Sequence, residues 1–401
     1  MNSSDFLIIG GGIVGATISM ELRRRHPKST ITILEKENQL GSHSSTNNSG
    51  VIHSGIYYDP DSVKARVCKI GAEKMIEFHE EHNLPLKKIG KILVCTNQNQ
   101  VNQIDLLLDR VKKNNIEAYE INHEKLKEME PEVNSIGGRG IYVPITSVGS
   151  PKAVMDTIKK ILLDKKIKIF TNTEVKDKCG LSQVSSQDGS KFNYGFLINT
   201  SGSYSDVISN KFEVGQEYTM LPFRGLYWEL SKNSGIKVNH LIYPVPDLRF
   251  PFLGIHTTSS IDGKVYLGPT ASFGFGREHY RGMKGVNLLD TLNNLKYSGM
   301  QFIKNHDGFR NLALQEIFRL SKVGFAKEAR KILPNLKYNM LIPSNKAGIR
   351  AQIFDKSKGR LVNDFLAVKR DNSLHILNSI SPAWTCSFEM SNFIYRKYLE
   401  A

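Results

Sequence analysis

Two histidines and one arginine occupy stretches of the sequence where side chains of these types could do chemistry. His53 lies among the apolar and aromatic residues 51–58, His256 ends residues 251–256, and Arg350 lies in the small-residue stretch 347–352. An imidazole can act as a base because its free pKa lies near neutrality, and a guanidinium can bind a carboxylate through two hydrogen bonds. A buried, hydrogen-bonded histidine with a packing role is the alternative interpretation for each imidazole.

A glycine-rich turn near the N-terminus predicts a dinucleotide-binding site. Apolar residues 6–9 run into Gly10, Gly12 and Gly15, a helical stretch follows, and a second strand ends at Glu35. Glycine at these positions permits the tight turn, the approach of a pyrophosphate and close packing of the helix, whose N-terminus attracts phosphate. Glu35 can accept hydrogen bonds from a ribose. An ordinary glycine-rich turn is the alternative, and the fingerprint alone does not distinguish FAD from NAD.

Further small-residue turns favour FAD over NAD. A polar loop at residues 41–50, a turn after the strand at residues 196–199 and a loop at residues 378–385 would serve a ligand that spans more of the sheet than a mononucleotide. The last of these loops stands at a helix N-terminus, which can face an electron-rich flavin carbonyl. The residues predicted to contact the cofactor are Gly10, Gly12, Ile13, Val14, Gly15, Glu35, Lys36, Asn48, Ser49, Gly50, Val175, Ser201, Gly202, Gly348, Ser381, Pro382, Ala383 and Thr385.

The elements that must position these residues predict an α/β fold in two parts. The first part is a FAD-binding, Rossmann-like domain of the glutathione-reductase type, expected at residues 1–85, 140–212 and 340–401. The second part is an α+β substrate or cap domain with a mostly antiparallel sheet, expected at residues 86–139 and 213–339. Its strands are predicted at residues 226–230, 251–256 and 264–268, followed by basic helices over residues 281–338. A long helix is predicted over residues 61–82, capped by Asp61 or Ser62.

Composition narrows the class of protein. The 401 residues are 40% hydrophobic and 23% charged, which is typical of a globular protein of two or three domains. No apolar run approaches the ~20 residues of a membrane-spanning helix, and we expect no signal or transit peptide. Four cysteines, far apart and without metal-ligand spacing, predict no metal site and fit a reducing compartment such as the cytoplasm.

The formal net charge of +15 has three interpretations. Solubility of a Lys- and Asn-rich chain is favoured, attraction of an anionic substrate or a membrane surface follows, and nucleic-acid binding is least favoured because no basic run is interleaved with aromatic residues. A solvated face is likewise favoured over membrane contact for the basic helices.

Several blocks of the sequence resemble the FAD-dependent D-amino-acid-oxidase-like superfamily and, within it, the L-2-hydroxyglutarate dehydrogenase (or oxidase) family. These blocks are residues 48–58, 251–256, 261–263 with 268–269, 347–352 and 381–387. The resemblance implies oxidation of L-2-hydroxyglutarate, a small dicarboxylate hydroxy acid, to 2-oxoglutarate, with electrons passing from FAD to a quinone or to oxygen. It also implies peripheral membrane contact, at the inner face of the membrane, in members that feed quinones. It leaves the oligomeric state open.

The resemblance also implies roles for single residues. His53 and His256 become the candidates for the catalytic base, and Arg350 matches the arginine that related flavin oxidases place against the substrate. Arg224 and Tyr57 are secondary candidates for substrate binding, with an ion pair and pocket lining as the respective alternatives. The chain departs from the family at residues 46–47 and at Trp384, which concern flavin contacts.

Three other functions remain as alternatives at this point. An FAD-dependent amino-acid or amine oxidase of the glycine-oxidase type shares the superfamily. An NAD-dependent dehydrogenase would leave the second glycine-rich turn and the antiparallel sheet without a role. A basic binding module without enzymatic activity would bind DNA in a salt-dependent manner and hold no flavin.

Overall fold

A computed structural model describes residues 2–250 and 252–400 of the chain. Within them the helices are α1 (Ile13–Arg25), α2 (Val63–Glu81), α3 (Gln98–Lys113), α4 (His123–Met129), α5 (Pro151–Asp164), α6 (Ser205–Lys211), α7 (Leu288–Lys304), α8 (Phe309–Arg319), α9 (Lys322–Ala329) and α10 (Ala383–Ile394). The strands are β1 (Asn2–Ile9), β2 (Ile31–Leu34), β3 (Val51–Ile52), β4 (Leu86–Lys88), β5 (Lys91–Val94), β6 (Tyr119–Ile121), β7 (Gly140–Val143), β8 (Ser147–Gly149), β9 (Lys168–Phe170), β10 (Val175–Lys178), β11 (Gln183–Ser186), β12 (Lys191–Asn199), β13 (Tyr218–Leu230), β14 (Leu241–Pro244), β15 (His256–Ser259), β16 (Val265–Gly268), β17 (Ser272–Phe273), β18 (Leu341–Asp355), β19 (Arg360–Leu361), β20 (Leu366–Arg370) and β21 (Ser373–Asn378).

A parallel sheet centred on β1 forms the first layer of the fold. Its parallel strands follow the order β9, β2, β1, β12, β21, and antiparallel pairings attach β10, β11 and β20. The first residues of β1 are polar and mostly exposed, whereas its last four residues, 6–9, are apolar, and Leu7 and Ile8 are fully buried in the centre of the sheet. The sheet confirms the predicted α/β, nucleotide-binding class of fold.

Helices α1, α2, α5 and α10 share one hydrophobic core on a face of this sheet. Helix α2 begins after Ser62, whose hydroxyl accepts a hydrogen bond from the Ala65 N–H. Of the two predicted caps, Ser62 is therefore the one in place. Asp364 accepts two further backbone N–H groups, those of Val63 and Lys64, and so ties this helix start to the C-terminal part of the chain.

An antiparallel sheet forms the second large layer. Its order is β15, β16, β13, β18, β19, with β17 also paired to β13. The long strands β13 and β18 pair with Phe223 opposite Arg350 and Gly225 opposite Gly348. This pairing confirms the predicted antiparallel sheet and places Arg350 in the middle of its longest ladder.

Two smaller sheets carry other residues of interest. Strands β14, β5, β7 and β6 form one of them, and β3, β8 and β4 form the other. Lys91 is the first residue of β5, and His53 follows directly after β3.

The strand predicted at residues 251–256 is wrong in its bounds. Residue 251 lies outside the described residues, and residues 252–255 form no strand; β15 begins only at His256. Gly254 has φ +72°, in the left-handed region, and its carbonyl accepts a hydrogen bond from His256 Nδ1 at 2.9 Å. A local turn therefore replaces the first part of the predicted strand.

The predicted division into two domains stays a prediction. Strand β7 lies in residues 140–143, which were assigned to the FAD-binding part, but it pairs with β5 and β6 of the predicted cap part. A division by sheet membership would therefore move β7 to the cap. In the same way β18 pairs with β13 although it lies within residues 340–401.

Two helical glycines give a matched test of packing on stability. A Cβ on Gly71 of α2 would lie 2.4 Å from the Cα of Cys386 in α10, whereas a Cβ on Gly299 of α7 would meet no described atom within 4 Å. We expect Gly71→Ala to destabilise the protein by about 1–3 kcal/mol through overpacking. Gly299→Ala should stabilise it by up to about 1 kcal/mol through helix propensity. Urea unfolding of the two variants measures both, and changes of the same sign would contradict this account of the α2–α10 contact.

Candidate active site

One cavity joins the N-terminal glycine turn to the antiparallel sheet. Its wall includes most residues predicted to contact a cofactor, together with both candidate bases and the candidate carboxylate ligand. The predicted residues on the wall are Gly10, Gly12, Ile13, Val14, Glu35, Lys36, Asn48, Ser49, His53, Val175, Ser201, Gly202, His256, Gly348, Arg350, Ser381, Pro382, Ala383 and Thr385. Residues from the two ends of the sequence and from both large sheets therefore meet at one site.

The glycine turn is shaped by contact with Thr200. Gly10 has φ +99°, and a Cβ there would lie 2.6 Å from the Thr200 carbonyl oxygen. A Cβ on Gly15 would lie 2.2 Å from the Gly10 carbonyl oxygen, so this glycine serves close packing and does not line the cavity. A Cβ on Gly12 would meet only Ser45 Oγ, at 3.1 Å. Gly12 therefore leaves backbone open to the cavity at the start of α1.

Glu35 is held by the backbone of the turn. Its Oε2 accepts a hydrogen bond from the Gly11 N–H at 2.8 Å, and its Oε1 accepts one from the Glu37 N–H at 2.9 Å. The side chain is 7% exposed and lines the cavity. Each carboxylate oxygen keeps a second lone pair, so the predicted ribose contact is compatible with these bonds.

The loop at residues 41–50 bridges the two large sheets. Ser45 Oγ accepts a hydrogen bond from the Ile13 N–H at the start of α1, at 2.8 Å. Ser44 Oγ donates to the Ile349 carbonyl of β18 at 3.2 Å. Asn48 Oδ1 accepts from the Gly50 N–H at 2.9 Å, which shapes the exit of the loop toward β3.

His53 is buried directly after β3. Its backbone N–H donates to Thr385 Oγ1 at 3.1 Å, and its carbonyl accepts from the Cys68 thiol. Its ring atom Nδ1 is buried without a hydrogen-bond partner among the described residues. Burial lowers the pKa of His53 well below its usual value, and the nearby charges of Lys91, His256 and Arg350 lower it further. The ring is therefore neutral near pH 7.

His256 is held in one tautomer at the start of β15. Its Nδ1 donates to the Gly254 carbonyl, so Nε2 carries the lone pair of the neutral ring. The ring stacks on Tyr243, with 3.8 Å between the centroids. Burial lowers the pKa of His256 to about 3, an effect that outweighs the hydrogen bond to Gly254. This imidazole is also neutral and fixed in orientation.

Arg350 projects from β18 onto the cavity wall. Its guanidinium carbon lies 5.1 Å above the centre of the Phe252 ring. Burial lowers the pKa of Arg350 below its usual value, but an arginine remains protonated at neutral pH. We call the part of the cavity lined by His53, His256 and Arg350 its reactive end, and the part lined by the glycine turn and Glu35 its nucleotide end. The reactive end therefore combines a fixed cation with two neutral imidazoles.

Four of the predicted site residues do not line the cavity. Gly15 and Gly50 serve the shape of their turns. Tyr57 is buried beside Lys91, whose ammonium lies over its ring. Arg224 lies within hydrogen-bonding distance of His279, 3.2 Å from Nε2. Neither Tyr57 nor Arg224 lines the cavity, and their direct roles in substrate binding stay predictions.

Sequence reasoning did not identify several residues at this site. Thr200 packs on the glycine turn, Tyr227 and Tyr243 line the reactive end, and the fully buried Lys91 lies against Tyr243. The run at residues 91–95 signals a strand but not the direction in which its first side chain points. The loop at residues 41–50 was predicted to approach the cofactor, but Ser45, which bonds the Ile13 N–H, was not singled out.

A charged cluster lies beside the nucleotide end of the cavity. Ligand atoms of Glu37, His43 and Glu278 lie within 4.8 Å of one another, an arrangement that the sequence did not predict. The Lys36 ammonium bonds to both carboxylates, and the Tyr204 hydroxyl donates to Glu278 at 2.8 Å. A lysine thus already supplies the positive charge between these acids.

The residues of the cavity fit FAD. The glycine turn offers backbone without a Cβ at the start of α1, and Glu35 stands at the position of a ribose ligand. The same cavity continues to a part lined by Tyr227, Tyr243 and Trp384. There Trp384 Nε1, like His53 Nδ1, is buried without a partner among the described residues. A long ligand with a nucleotide end and a polar ring system would contact both parts.

Comparisons with known proteins agree with this geometry. Residues 5–387 match the family model described as FAD dependent oxidoreductase (DAO). The chain is 35% identical over 400 residues to L-2-hydroxyglutarate dehydrogenase of Escherichia coli K12, covering 98% of this chain and 92% of that protein. It is also 35% identical over 423 residues to the mitochondrial L-2-hydroxyglutarate dehydrogenase of Nematostella vectensis, covering 99% of this chain and 90% of that protein.

Solved structures share the fold. FAD-bound, dithionite-reduced L-alpha-glycerophosphate oxidase from Mycoplasma pneumoniae superposes with a TM-score of 0.78 at 22% identity, over 99% of this chain and 94% of that chain. Glycine oxidase from Geobacillus kaustophilus superposes with a TM-score of 0.71 at 14% identity, over 100% of this chain and 96% of that chain.

None of the helices in the described part of the chain combines the length and the apolar character needed to cross a membrane.

The family model covers nearly the whole chain, and the glycine turn, the cavity and the antiparallel sheet of this chain are those expected of a flavin enzyme. The chain belongs to the family of FAD dependent oxidoreductases, with FAD as its cofactor, and within that family it is a relative of L-2-hydroxyglutarate dehydrogenases.

Proposed function

We propose that this chain oxidises L-2-hydroxyglutarate to 2-oxoglutarate. The observation that carries the proposal is the cavity in which His53, His256 and Arg350 share one wall with the dinucleotide turn. The 35% identity to an enzyme named for this substrate supports it. Bound FAD supplies the acceptor for the hydride that leaves the hydroxyl-bearing carbon. The residues of the chain bind the carboxylates, accept the hydroxyl proton and exclude water.

Arg350 binds a carboxylate of the substrate. Its guanidinium lines the cavity with one face toward Phe252, which keeps water from that side of the charge. A planar guanidinium holds a carboxylate through two parallel, charge-assisted hydrogen bonds and so fixes the orientation of the substrate. This role also explains why a buried cation lies beside two imidazoles.

His53 accepts the hydroxyl proton. Its ring lines the cavity, its Nδ1 has no hydrogen-bond partner in the described part of the chain, and the ring is neutral because burial and neighbouring positive charges hold its pKa well below the usual value. A neutral imidazole within reach of a hydroxyl is a suitable general base. His256 is the second candidate, because its Nε2 keeps a lone pair while Nδ1 donates to Gly254.

The remaining wall residues hold the cofactor and keep the reactive end dry. Gly12 and the start of α1 would receive the pyrophosphate, Glu35 a ribose, and the loop before α10 the ring system. Tyr227, Tyr243 and Phe252 line the reactive end with aromatic surface. In this assignment residues 1–85, 140–212 and 340–401 form the FAD-binding domain and residues 86–139 and 213–339 form the cap, with β7 and β18 pairing across the boundary.

We further propose that α7 and α8 rest on an anionic lipid surface, where a quinone would serve as electron acceptor. On α7 one face exposes Leu288, Leu289, Leu292, Leu295 and Ile303, the last at 75% exposure, and α8 exposes Leu314, Ile317 and Phe318. Exposed cations accompany these side chains at Lys284, Lys296, Lys304 and Arg310. Apolar side chains next to cations match the boundary between acyl chains and anionic head groups.

The substrate is tested by anaerobic reduction of the holoenzyme. L-2-hydroxyglutarate should bleach the flavin absorbance, whereas the D-isomer and a panel of amino acids that includes glycine should not. Reoxidation of the reduced protein with oxygen or with a soluble quinone then identifies the acceptor. Bleaching by amino acids alone would replace this proposal with an amino-acid oxidase, and a protein without flavin absorbance would exclude both.

The role of Arg350 is tested by Arg350→Lys. A lysine keeps the charge but loses the bidentate geometry, so KM for L-2-hydroxyglutarate should rise by about 10- to 100-fold, corresponding to roughly 1.5–3 kcal/mol for hydrogen bonds to a charged group. Flavin content should stay at the wild-type level. Arg224→Lys is the matched control, because that side chain lies on the paired strand but off the cavity wall. Equal loss of flavin and substrate binding in Arg350→Lys would mark Arg350 as structural.

The lipid surface is tested by co-sedimentation with vesicles. The holoenzyme should bind vesicles that contain anionic phosphatidylglycerol more tightly than neutral ones, and salt should weaken this binding. Leu289→Gln together with Leu292→Gln should lower the affinity by about 100-fold, since burying each leucine contributes roughly 1.5 kcal/mol. Leu181→Gln is the control, because that leucine is 85% exposed and lies between β10 and β11, outside these helices. Equal binding by the double variant and the control variant would refute the assignment of this face.

A further inference from the structure

Residues 274–287, which connect β17 to α7, form a closed loop that we call the clasp. Its two ends meet, because the Asn287 N–H donates to the Phe275 carbonyl at 2.8 Å. A Cβ on Gly276 would lie 2.1 Å from the Gly285 carbonyl oxygen, so a glycine is needed where the two arms approach each other. The clasp is therefore a compact Ω-loop, a surface unit of the kind that often carries function.

The first arm of the clasp is anchored in the interior. Arg277 is 8% exposed, and its guanidinium donates hydrogen bonds to Asp206 of α6 and to Asp290 of α7. Breaking a buried contact between charged groups is strongly unfavourable, so this anchor stays closed. The clasp thus has one fixed end at Arg277.

Beyond this anchor, Glu278 joins two segments on opposite sides of the glycine turn. Its Oε1 accepts hydrogen bonds from the Lys36 ammonium and, at 2.8 Å, from the Tyr204 hydroxyl. Lys36 follows β2 and Tyr204 follows β12, and these two strands are the neighbours of β1 on either side. They lie about 10 Å apart, and the glycine turn continues β1 between them. A nucleotide held at that turn would therefore lie between the two segments that Glu278 joins.

The tip of the clasp reaches two further segments that contribute to the cavity wall. The Tyr280 ring stacks on His43 of the polar loop, with 6.2 Å between the centroids. The Arg281 guanidinium donates to the Lys346 carbonyl of β18, the strand that carries Arg350, at 3.2 Å. The clasp thus ties together four segments with residues on one wall, and its own described residues stand behind that wall.

The contacts of Glu278 are easier to break than the anchor at Arg277. The side chains of Lys36 and Glu278 are 25% and 30% exposed. A partly exposed ion pair shifts an equilibrium by about fivefold at most. The clasp therefore combines a firm base with a weakly held tip, and local opening is expected at the tip.

We propose that the clasp is a gate for FAD, which opens to admit or release the cofactor, and that the contact of Glu278 with Lys36 and Tyr204 is its latch. FAD would extend along the segments that the clasp ties together, so it passes between them only when a tie is broken. The inference rests on FAD as the cofactor and on no particular substrate. It stands or falls independently of the proposed oxidation of L-2-hydroxyglutarate.

A gate and a simple contact to the cofactor differ in their kinetics. Weakening a latch makes opening more frequent whether or not FAD is bound. The rate constants of FAD binding and of FAD release then rise together, and the Kd changes little. Weakening a contact to bound FAD raises the release rate alone.

The test is Glu278→Gln, which removes the charge of the latch and keeps its size. Release is measured by mixing the holoenzyme with an excess of a FAD analogue of different absorbance, and binding by flavin fluorescence after the apoprotein is mixed with FAD. Both rate constants should rise by about three- to fivefold. Glu229→Gln is the matched control, because Glu229 also pairs with a lysine, Lys264 at 2.9 Å, but lies off the cavity wall. Its two rate constants should equal those of the wild type.

Arg281→Met is the second variant, because it releases the tip from β18 and leaves the latch in place. It should raise both rate constants as well. A release rate that rises alone in Glu278→Gln would overturn the gate, and so would equal changes in Glu229→Gln or unchanged rates in Glu278→Gln and Arg281→Met. If Glu278→Gln does not fold, the same two rate constants of Arg281→Met decide the proposal.

Discussion

Burial of positive and titratable groups is the constraint on which the reactive end of the cavity depends. His53, His256, Lys91 and Arg350 lie close enough to affect one another, and burial is the largest influence on the pKa of each. In water four such groups would be screened and would titrate almost independently. Here the low dielectric separates them into one permanent cation, two neutral imidazoles and one lysine that titrates near neutrality.

The fold makes this burial possible because segments that are distant in the sequence meet at one cavity. Pairing of β13 with β18 places Arg350 on the cavity wall. The Gly254 carbonyl orients the His256 ring through a hydrogen bond, and His53 follows directly after β3. The loop at residues 41–50 links these parts, because Ser45 bonds the start of α1 while Ser44 bonds β18. The nucleotide end and the reactive end are therefore joined by the hydrogen bonds of a single loop.

Sequence reasoning was strongest where the signal is local. The spacing of Gly10, Gly12 and Glu35 predicted the turn, because each position is fixed by the neighbouring backbone. Gly10 packs against the Thr200 carbonyl, Gly12 leaves the backbone open, and Glu35 accepts the Gly11 N–H. The class of fold followed from it, whereas FAD followed only from the further small-residue turns and the family resemblance; both predictions are confirmed. It was weaker where a position is defined by long-range packing. Lys91 begins a strand, where a lysine usually faces water, and only the meeting of β5 with Tyr57 and Tyr243 buries it. The strand predicted at residues 251–256 fails for a related reason, since the left-handed Gly254 turns the chain to serve His256.

The two ends of the cavity differ in how completely their polar groups are satisfied, and this difference separates scaffold from chemistry. At the nucleotide end Glu35 is bonded by two backbone N–H groups, and the Thr200 hydroxyl bonds the carbonyls of Ile9 and Gly10. At the reactive end His53 Nδ1, Lys91 Nζ and Trp384 Nε1 are buried without partners among the described residues. Buried polar atoms without partners cost free energy, so a fold retains several in one place only where another requirement outweighs stability. His53 and Trp384 belong to the cavity wall, whereas Lys91 lies behind it against Tyr57 and Tyr243, so the unsatisfied polar atoms are concentrated in and directly behind the wall of the reactive end.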